Sequence, residues 1–114
     1  MKWELLPFGK VDAVFDRGAF EAIDVSDREA YIEKMLSFLK PENFRYILNC
    51  FHYQDPIFNG PPRPFSPQQV SKYFEKCIVK ELCNEDYSEQ GKFDFGVQNG
   101  MRDIHYLITP KEIN

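Results

Sequence analysis

The first dense apolar run of the chain is Val11 to Phe15, interrupted only by Asp12, and it stops on Asp16-Arg17-Gly18 before the helix-compatible stretch Ala19 to Ile23. β-Branched and aromatic residues closed by a charged pair and a glycine predict a short strand that feeds a turn. The near-continuous apolar character predicts burial on both faces of a parallel α/β sheet. In such sheets ligands gather outside the carboxyl ends of the strands, where Asp16 and Arg17 would stand. On these few residues alone, a strand ending in solvent is the plainer reading.

Further on, Ser26-Asp27-Arg28-Glu29 has the S-x-x-E form of a capping box and predicts a helix starting there. Tyr31, Ile32, Met35, Leu36, Phe38 and Leu39 recur at helical spacing as an apolar face, read as core packing, and Pro41 ends the helix. Phe44 to Tyr53 is too continuously apolar for a half-exposed strand and predicts a second buried one, closed by His52 and Tyr53 at the ligand end. A lone His at that place is more often a hydrogen-bonded structural residue than a base. Gln54 to Pro67 carries six residues that resist regular structure, Pro56, Gly60, Pro61, Pro62, Pro64 and Pro67, and predicts a stiff loop. Stiffness suits the wall of a binding site, although a plain connector has the same composition. Ser66-Pro67-Gln68-Gln69 repeats the grammar of a helix start, followed by an apolar stripe of Val70, Tyr73, Phe74 and Cys77. Ile78 to Cys83 predicts a strand nearer the sheet edge, Asn84 to Gly100 with its three glycines a long lid or binding loop, and Arg102 to Thr109 the last strand.

The elements therefore run strand, helix, strand, helix, strand, strand, which is an α/β pattern. At 114 residues there is room for one modest core, and 43% apolar with 28% charged residues is the composition of a globular chain. A net charge of −4 without any basic cluster makes nucleic acid and anionic membranes poor partners. No apolar run approaches membrane-spanning length and no leader follows Met1-Lys2, so a cytoplasmic location is expected. Cys50, Cys77 and Cys83 are odd in number, lack C-x-x-C spacing and sit in or beside apolar runs, and are expected to be reduced core thiols with no metal role.

Phe15-Asp16-Arg17-Gly18-Ala19-Phe20-Glu21-Ala22-Ile23, Tyr53 with Asp55-Pro56, Gly60-Pro61-Pro62 and the closing Tyr106-Leu107-Ile108-Thr109 stand in one register. In this order and approximate spacing they resemble the carboxyl-terminal half of the thiopurine S-methyltransferase family, from about Val11 to Lys111. The resemblance implies a partial Rossmann-like class I S-adenosylmethionine-dependent methyltransferase sheet, β-α-β-α-β-β, with the last strand antiparallel between its two predecessors. It implies residues 1–114 as a single partial domain without the amino-terminal cofactor-binding half, since no glycine turn after a first strand and no acidic residue ending a second is found to hold the ribose.

By the same resemblance the reaction is methyl transfer from S-adenosylmethionine to a small aromatic or heterocyclic thiol, with the cofactor needing the missing half. Arg17 is implied as catalytic and as bordering the cofactor, and Asp16 as orienting Arg17 or the nearby backbone. Trp3, in Trp3-Glu4-Leu5, is implied beside the adenine. Tyr53, Pro62 and Phe65 are implied on the acceptor side with Phe95, and Lys92 is the nearest cation in a loop where relatives often place an arginine. Here Gln54 splits the Tyr-Asp-Pro motif and Arg63-Pro64 precede Phe65, so the aromatic's position departs from the pattern. The alternative is a catalytically inactive binding or regulatory module descended from such an enzyme, and an unrelated α/β fragment is a third reading. A strand that is central in the family would here have a free edge, so self-association through it is expected.

Overall fold

The computed structural model describes residues 10–55, 58, 60 and 62–111. The Trp3 candidate and the motif residues Pro56 and Pro61 lie outside them. Seven elements are ordered along the chain: β1 (Ala13–Arg17), α1 (Arg28–Ser37), β2 (Arg45–Tyr53), α2 (Pro67–Tyr73), β3 (Cys77–Asp86), α3 (Ser88–Phe95) and β4 (Met101–Pro110). Short 3₁₀ turns at Phe20–Ala22 and Val25–Asp27 connect β1 to α1.

The four strands form one sheet in the order β1-β2-β4-β3. β1 runs parallel to β2, with Phe15 opposite Ile47 and Arg17 opposite Asn49. β4 is antiparallel to both of its neighbours, pairing Leu48 with Tyr106 on one side and Val79 with Ile108 on the other. The last strand thus lies between its two predecessors, as the resemblance implies. A parallel pair needs a crossover, and α1 supplies it for β1 and β2.

Alternation along β2 and β4 divides the sheet into two faces. Tyr46, Leu48, Cys50, Ile104, Tyr106 and Ile108 point to one of them and are packed with Ile32 and Leu39 of the α1 region and Val70 and Phe74 of the α2 region, together with Phe20 and Phe65. On the other face, Tyr53 and Met101 are buried with Val97, and Phe51, Phe95 and Tyr87 pack around them at the end of β2. α3 therefore covers only that end. Further down this face Phe15 stands 59% exposed and Ile78 46% exposed.

Several boundaries differ from the sequence expectation. The first strand is Ala13–Arg17 rather than Val11–Phe15, while Val11 makes a separate parallel bridge to Leu39. Of β1 only Asp16 is buried, not both faces, because among the described residues the strand has a neighbour on one side alone and Ala13 and Phe15 look onto the uncovered face. The Ser26 box does not form: Val25–Asp27 is a 3₁₀ turn and α1 starts at Arg28 without a side-chain cap. By contrast the Ser66 box is complete, with Gln69 N–H donating to Ser66 Oγ at 3.2 Å and Ser66 N–H to Gln69 Oε1 at 2.8 Å.

The expected loop from Asn84 to Gly100 is largely regular. β3 continues to Asp86, and Ser88–Phe95 is a helix ended by Gly96 at φ +77, a left-handed closure that glycine adopts readily. Gly91 belongs inside α3 because it lies against β4, where a Cβ would come within 2.5 Å of Met101 Sδ. Of the three cysteines, only Cys50 is buried; Cys77 is half-buried and Cys83 exposed, so Cys83 is not a core thiol. Among the described residues no helix is long and apolar enough to cross a membrane, and no cluster of three or more His, Cys, Asp or Glu is placed to hold a metal ion.

Candidate functional site at the carboxyl ends of the parallel strands

β1 stops at Arg17, and Gly18 at φ +85 turns the chain away. Asp16 secures this turn from inside. Its Oδ1 accepts the Phe20 N–H at 3.2 Å, and its Oδ2 accepts the hydroxyls of Tyr31 at 2.8 Å and Tyr46 at 2.6 Å. With 2% of its surface exposed, the carboxylate has a structural task in the core, bracing the backbone beyond Arg17. Burial and the Asp16 charge together push both phenols well above the usual tyrosine range, so they stay protonated as donors. No hydrogen bond joins Asp16 to Arg17, because successive strand residues point to opposite faces.

Arg17 is exposed and makes no ion pair among the described residues. It shares its face with Asn49, its partner on β2, and with Asp103 of β4. Asn49 donates through Nδ2 to Asp103 Oδ1 and to the Ile104 carbonyl oxygen at 3.1 Å, so this patch is fixed before any ligand arrives. The charge of Arg17 also reaches Tyr87, whose hydroxyl donates to Asp94 Oδ2 at 3.1 Å.

Beyond the end of β1 the edge of β2 would be left unpaired. Glu21 fills that place: its Oε2 accepts the Phe51 N–H at 2.9 Å, while the Phe51 carbonyl oxygen accepts the Phe65 N–H at 2.9 Å. Glu21 is 1% exposed, and its burial pushes the carboxyl up to about 8; the Phe51 N–H opposes this, and the charges of Asp103 and Asp16 add to it. It therefore sits largely protonated at neutral pH. Nothing along the chain marks this group, since one Glu in a short apolar run reads as solvated.

The proline-rich segment is stapled across the same end. Tyr53 Oη donates to the Pro62 carbonyl oxygen at 2.6 Å, Arg63 donates through Nη1 to the Ala22 carbonyl oxygen at 2.9 Å, and its Nη2 pairs with Asp24 Oδ1 at 3.0 Å. Asp55 draws two loops together by accepting the Phe58 N–H at 2.8 Å and the Gln98 N–H at 3.0 Å. An aromatic cluster results. Phe58 lies 5.7 Å from Tyr53 and stacks on Phe95 at 5.9 Å, and Phe51 meets Phe95 at 6.0 Å and Tyr87 at 5.0 Å between ring centroids.

The sequence candidates are therefore only partly assembled. Tyr53, Pro62 and Phe95 are brought together, with Phe51 and Phe58 as members that the motif comparison missed. Phe65 is not a pocket wall in this arrangement: it is fully buried, stacked on Phe20 at 4.6 Å with the Arg28 guanidinium 4.4 Å above its ring. The backbone of Phe65, just after Arg63-Pro64, runs alongside Phe51, to whose carbonyl oxygen its N–H donates. Lys92 is exposed on α3 and makes no ion pair among the described residues. His52 is half-buried opposite Arg102 on the helix-covered face, away from Arg17. A groove of about 770 Å³ between α1 and α2, lined by Glu29, Leu36, Lys72 and Cys77 among others, is on that face too and holds none of these candidates.

The family description "Thiopurine S-methyltransferase (TPMT)" matches residues 1–110. Thiopurine S-methyltransferase of Bos taurus is 36% identical over 104 residues, which cover 90% of this chain and 42% of that protein. The Equus caballus enzyme is 33% identical with the same coverage, and the Oryctolagus cuniculus enzyme likewise. The chain thus spans less than half the length of these relatives. A crystal structure of Burkholderia thailandensis 1,6-didemethyltoxoflavin-N1-methyltransferase, with bound 1,6-didemethyltoxoflavin and S-adenosylhomocysteine, superimposes with a TM-score of 0.60 at 10% identity, covering 96% of this chain and 48% of that one. That likeness concerns the fold. The sheet order, the Asp16-Arg17-Gly18 turn and the match over residues 1–110 agree: this chain belongs to the thiopurine S-methyltransferase family.

Proposed function

We propose that these residues form the acceptor side of an S-adenosylmethionine-dependent S-methyltransferase acting on small aromatic or heterocyclic thiols. The observation that carries this reading is a guanidinium, Arg17, that has no ion-pair partner among the described residues and stands at the carboxyl end of a parallel strand whose turn is braced by a buried carboxylate. A flat apolar acceptor finds half-exposed aromatic surface in Phe58 and Phe95, which are backed by the buried ring of Tyr53. The donor set fits part of the cofactor: the exposed Arg17 guanidinium suits a carboxylate, whereas nothing among the described residues offers the acidic strand end that holds a ribose.

S-Adenosylmethionine supplies an activated methyl group when bound. The work left to this chain is alignment of the acceptor and exclusion of water, which needs no covalent intermediate. Arg17 would hold the negative charge of a thiolate or of a ligand carboxylate through its planar fork. Asp16, through Phe20 N–H, would keep the backbone beyond Arg17 in place, and the rings around Phe58 would cover the acceptor. The proposed partner is thus a small-molecule thiol, with the remaining cofactor contacts coming from an amino-terminal half.

Residues 1–114 alone are expected to bind S-adenosylmethionine negligibly in calorimetric titration. Joined to the amino-terminal half of the Bos taurus relative, they are expected to transfer labelled methyl groups to thiophenol. A folded fusion that binds cofactor and transfers nothing to a panel of aromatic thiols contradicts the reading and favours an inactive binding module.

A further inference from the structure

The uncovered face of the sheet carries a pair of side chains that methyl transfer does not use. Cys83 of β3 lies directly opposite His105 of β4, with Sγ 3.3 Å from Nδ1. A register irregularity creates this pairing. Val79 and Glu81 face Ile108 and Tyr106 on the helix-covered side, and regular alternation would send Cys83 to that side as well. The shift between Glu81 and Cys83 makes Leu82 an extra residue and turns Cys83 onto the open side, in register with His105. Bulges re-aim side chains in this way. The imidazole is held from its other flank by Phe15, edge-on at 6.2 Å between ring centroids.

The other two cysteines provide an internal contrast. Cys50 is fully buried and Cys77 half-buried, and burial pushes both thiols up, away from the reactive thiolate form. Cys83 alone combines exposure with a base in hydrogen-bond reach, the arrangement that activates a sulfur nucleophile.

We propose that Cys83 and His105 form a thiol-modification site that accepts low-molecular-weight disulfides. Cys83 gives its proton to His105 Nδ1 as its sulfur attacks one sulfur of the small disulfide. A new S–S bond forms to Cys83 while the original S–S bond breaks, and the departing thiolate takes up the proton from the imidazolium or from water. Cys83 is oxidised to a mixed disulfide, and the small disulfide is reduced to one free thiol. The site lies on the open face beside Phe15, so a bound adduct would alter the surface next to β1 without entering the core.

The probe is oxidised glutathione, applied to the folded chain at neutral pH, with mixed-disulfide positions and rates read by mass spectrometry. Cys83 is expected to be modified first, about tenfold faster than the same residue in the urea-unfolded chain; this is less than the ~10²–10⁴ of enclosed acid–base sites because the thiol is open to water. His105→Gln is expected to bring the rate down to the unfolded level with an unchanged thermal melt. Equal rates in folded and unfolded chain, an unchanged rate in folded His105→Gln, or earlier modification of Cys77 would each overturn the proposal. The folded-against-unfolded comparison needs no variant, and so decides the matter even where His105→Gln disturbs the sheet.

Discussion

Glu21→Gln separates the ionisation of one buried carboxyl from the rest of the fold. Glu21 is 1% exposed, and its carboxyl is raised from 4.5 to about 8, chiefly by desolvation. The folded state therefore binds more protons than the unfolded state between these values, so stability is full below pH 4.5 and falls as pH rises through 8. The slope is about 1.4 kcal/mol per pH unit, which makes the loss at pH 7 roughly 3 kcal/mol and the loss above pH 8 roughly 5 kcal/mol, taken as upper bounds. Glutamine has nearly the same shape and retains an oxygen to accept the Phe51 N–H, yet has nothing to ionise. The variant is expected to match the wild-type chain at pH 4 and to exceed it by up to about 3 kcal/mol at pH 7. Urea titrations of both chains from pH 4 to 8.5, read as the difference between them, cancel the other carboxylates. A difference that stays flat with pH would show that water reaches Glu21 and that the raised ionisation is unreal.

Other consequences are more local. Tyr46→Phe removes one of three donors to Asp16 and should cost about 1–3 kcal/mol in urea denaturation; an unchanged midpoint would show that the buried carboxylate does not depend on that hydroxyl. In the fusion with an amino-terminal half, Arg17→Ala should lower kcat/KM by an amount equivalent to about 1–3 kcal/mol, and Arg17→Lys should restore little because an ammonium lacks the planar fork. Wild-type kinetics in Arg17→Ala would make Arg17 a solvated strand end. Among the described strands β1 is a sheet edge and it carries Phe15, 59% exposed, so residues 1–114 should self-associate in sedimentation and Phe15→Lys should weaken that association. A wild-type monomer with a sharp cooperative melt would refute this.

The sequence announces some of these features and conceals others. β2 is legible because its apolar run is long enough to exclude a half-exposed strand, and the start of α2 because Ser66, Pro67 and Gln69 satisfy local rules without help from elsewhere. The same rules mislead at Ser26, where a 3₁₀ turn following Asp24 takes the place of the first helical turn. They mislead again between Asn84 and Gly100, since Gly91 weakens a helix by propensity and is favoured here by close contact with Met101, a residue ten positions away. Asp16 and Arg17 are found by their place at a strand end, but which of them faces inward depends on register. Phe58 joins the aromatic cluster through Asp55, and Cys83 meets His105 through a bulge; neither depends on a pattern visible along the chain.

The most direct measurement is a crystal structure of the complete fusion with S-adenosylhomocysteine and an aromatic thiol bound. The thiol sulfur is expected at the carboxyl end of β1, with Arg17 in hydrogen-bond contact with the acceptor or the cofactor and the ring against Tyr53, Phe58 or Phe95. An acceptor bound in the groove between α1 and α2, with Arg17 directed into solvent, would contradict the proposed site.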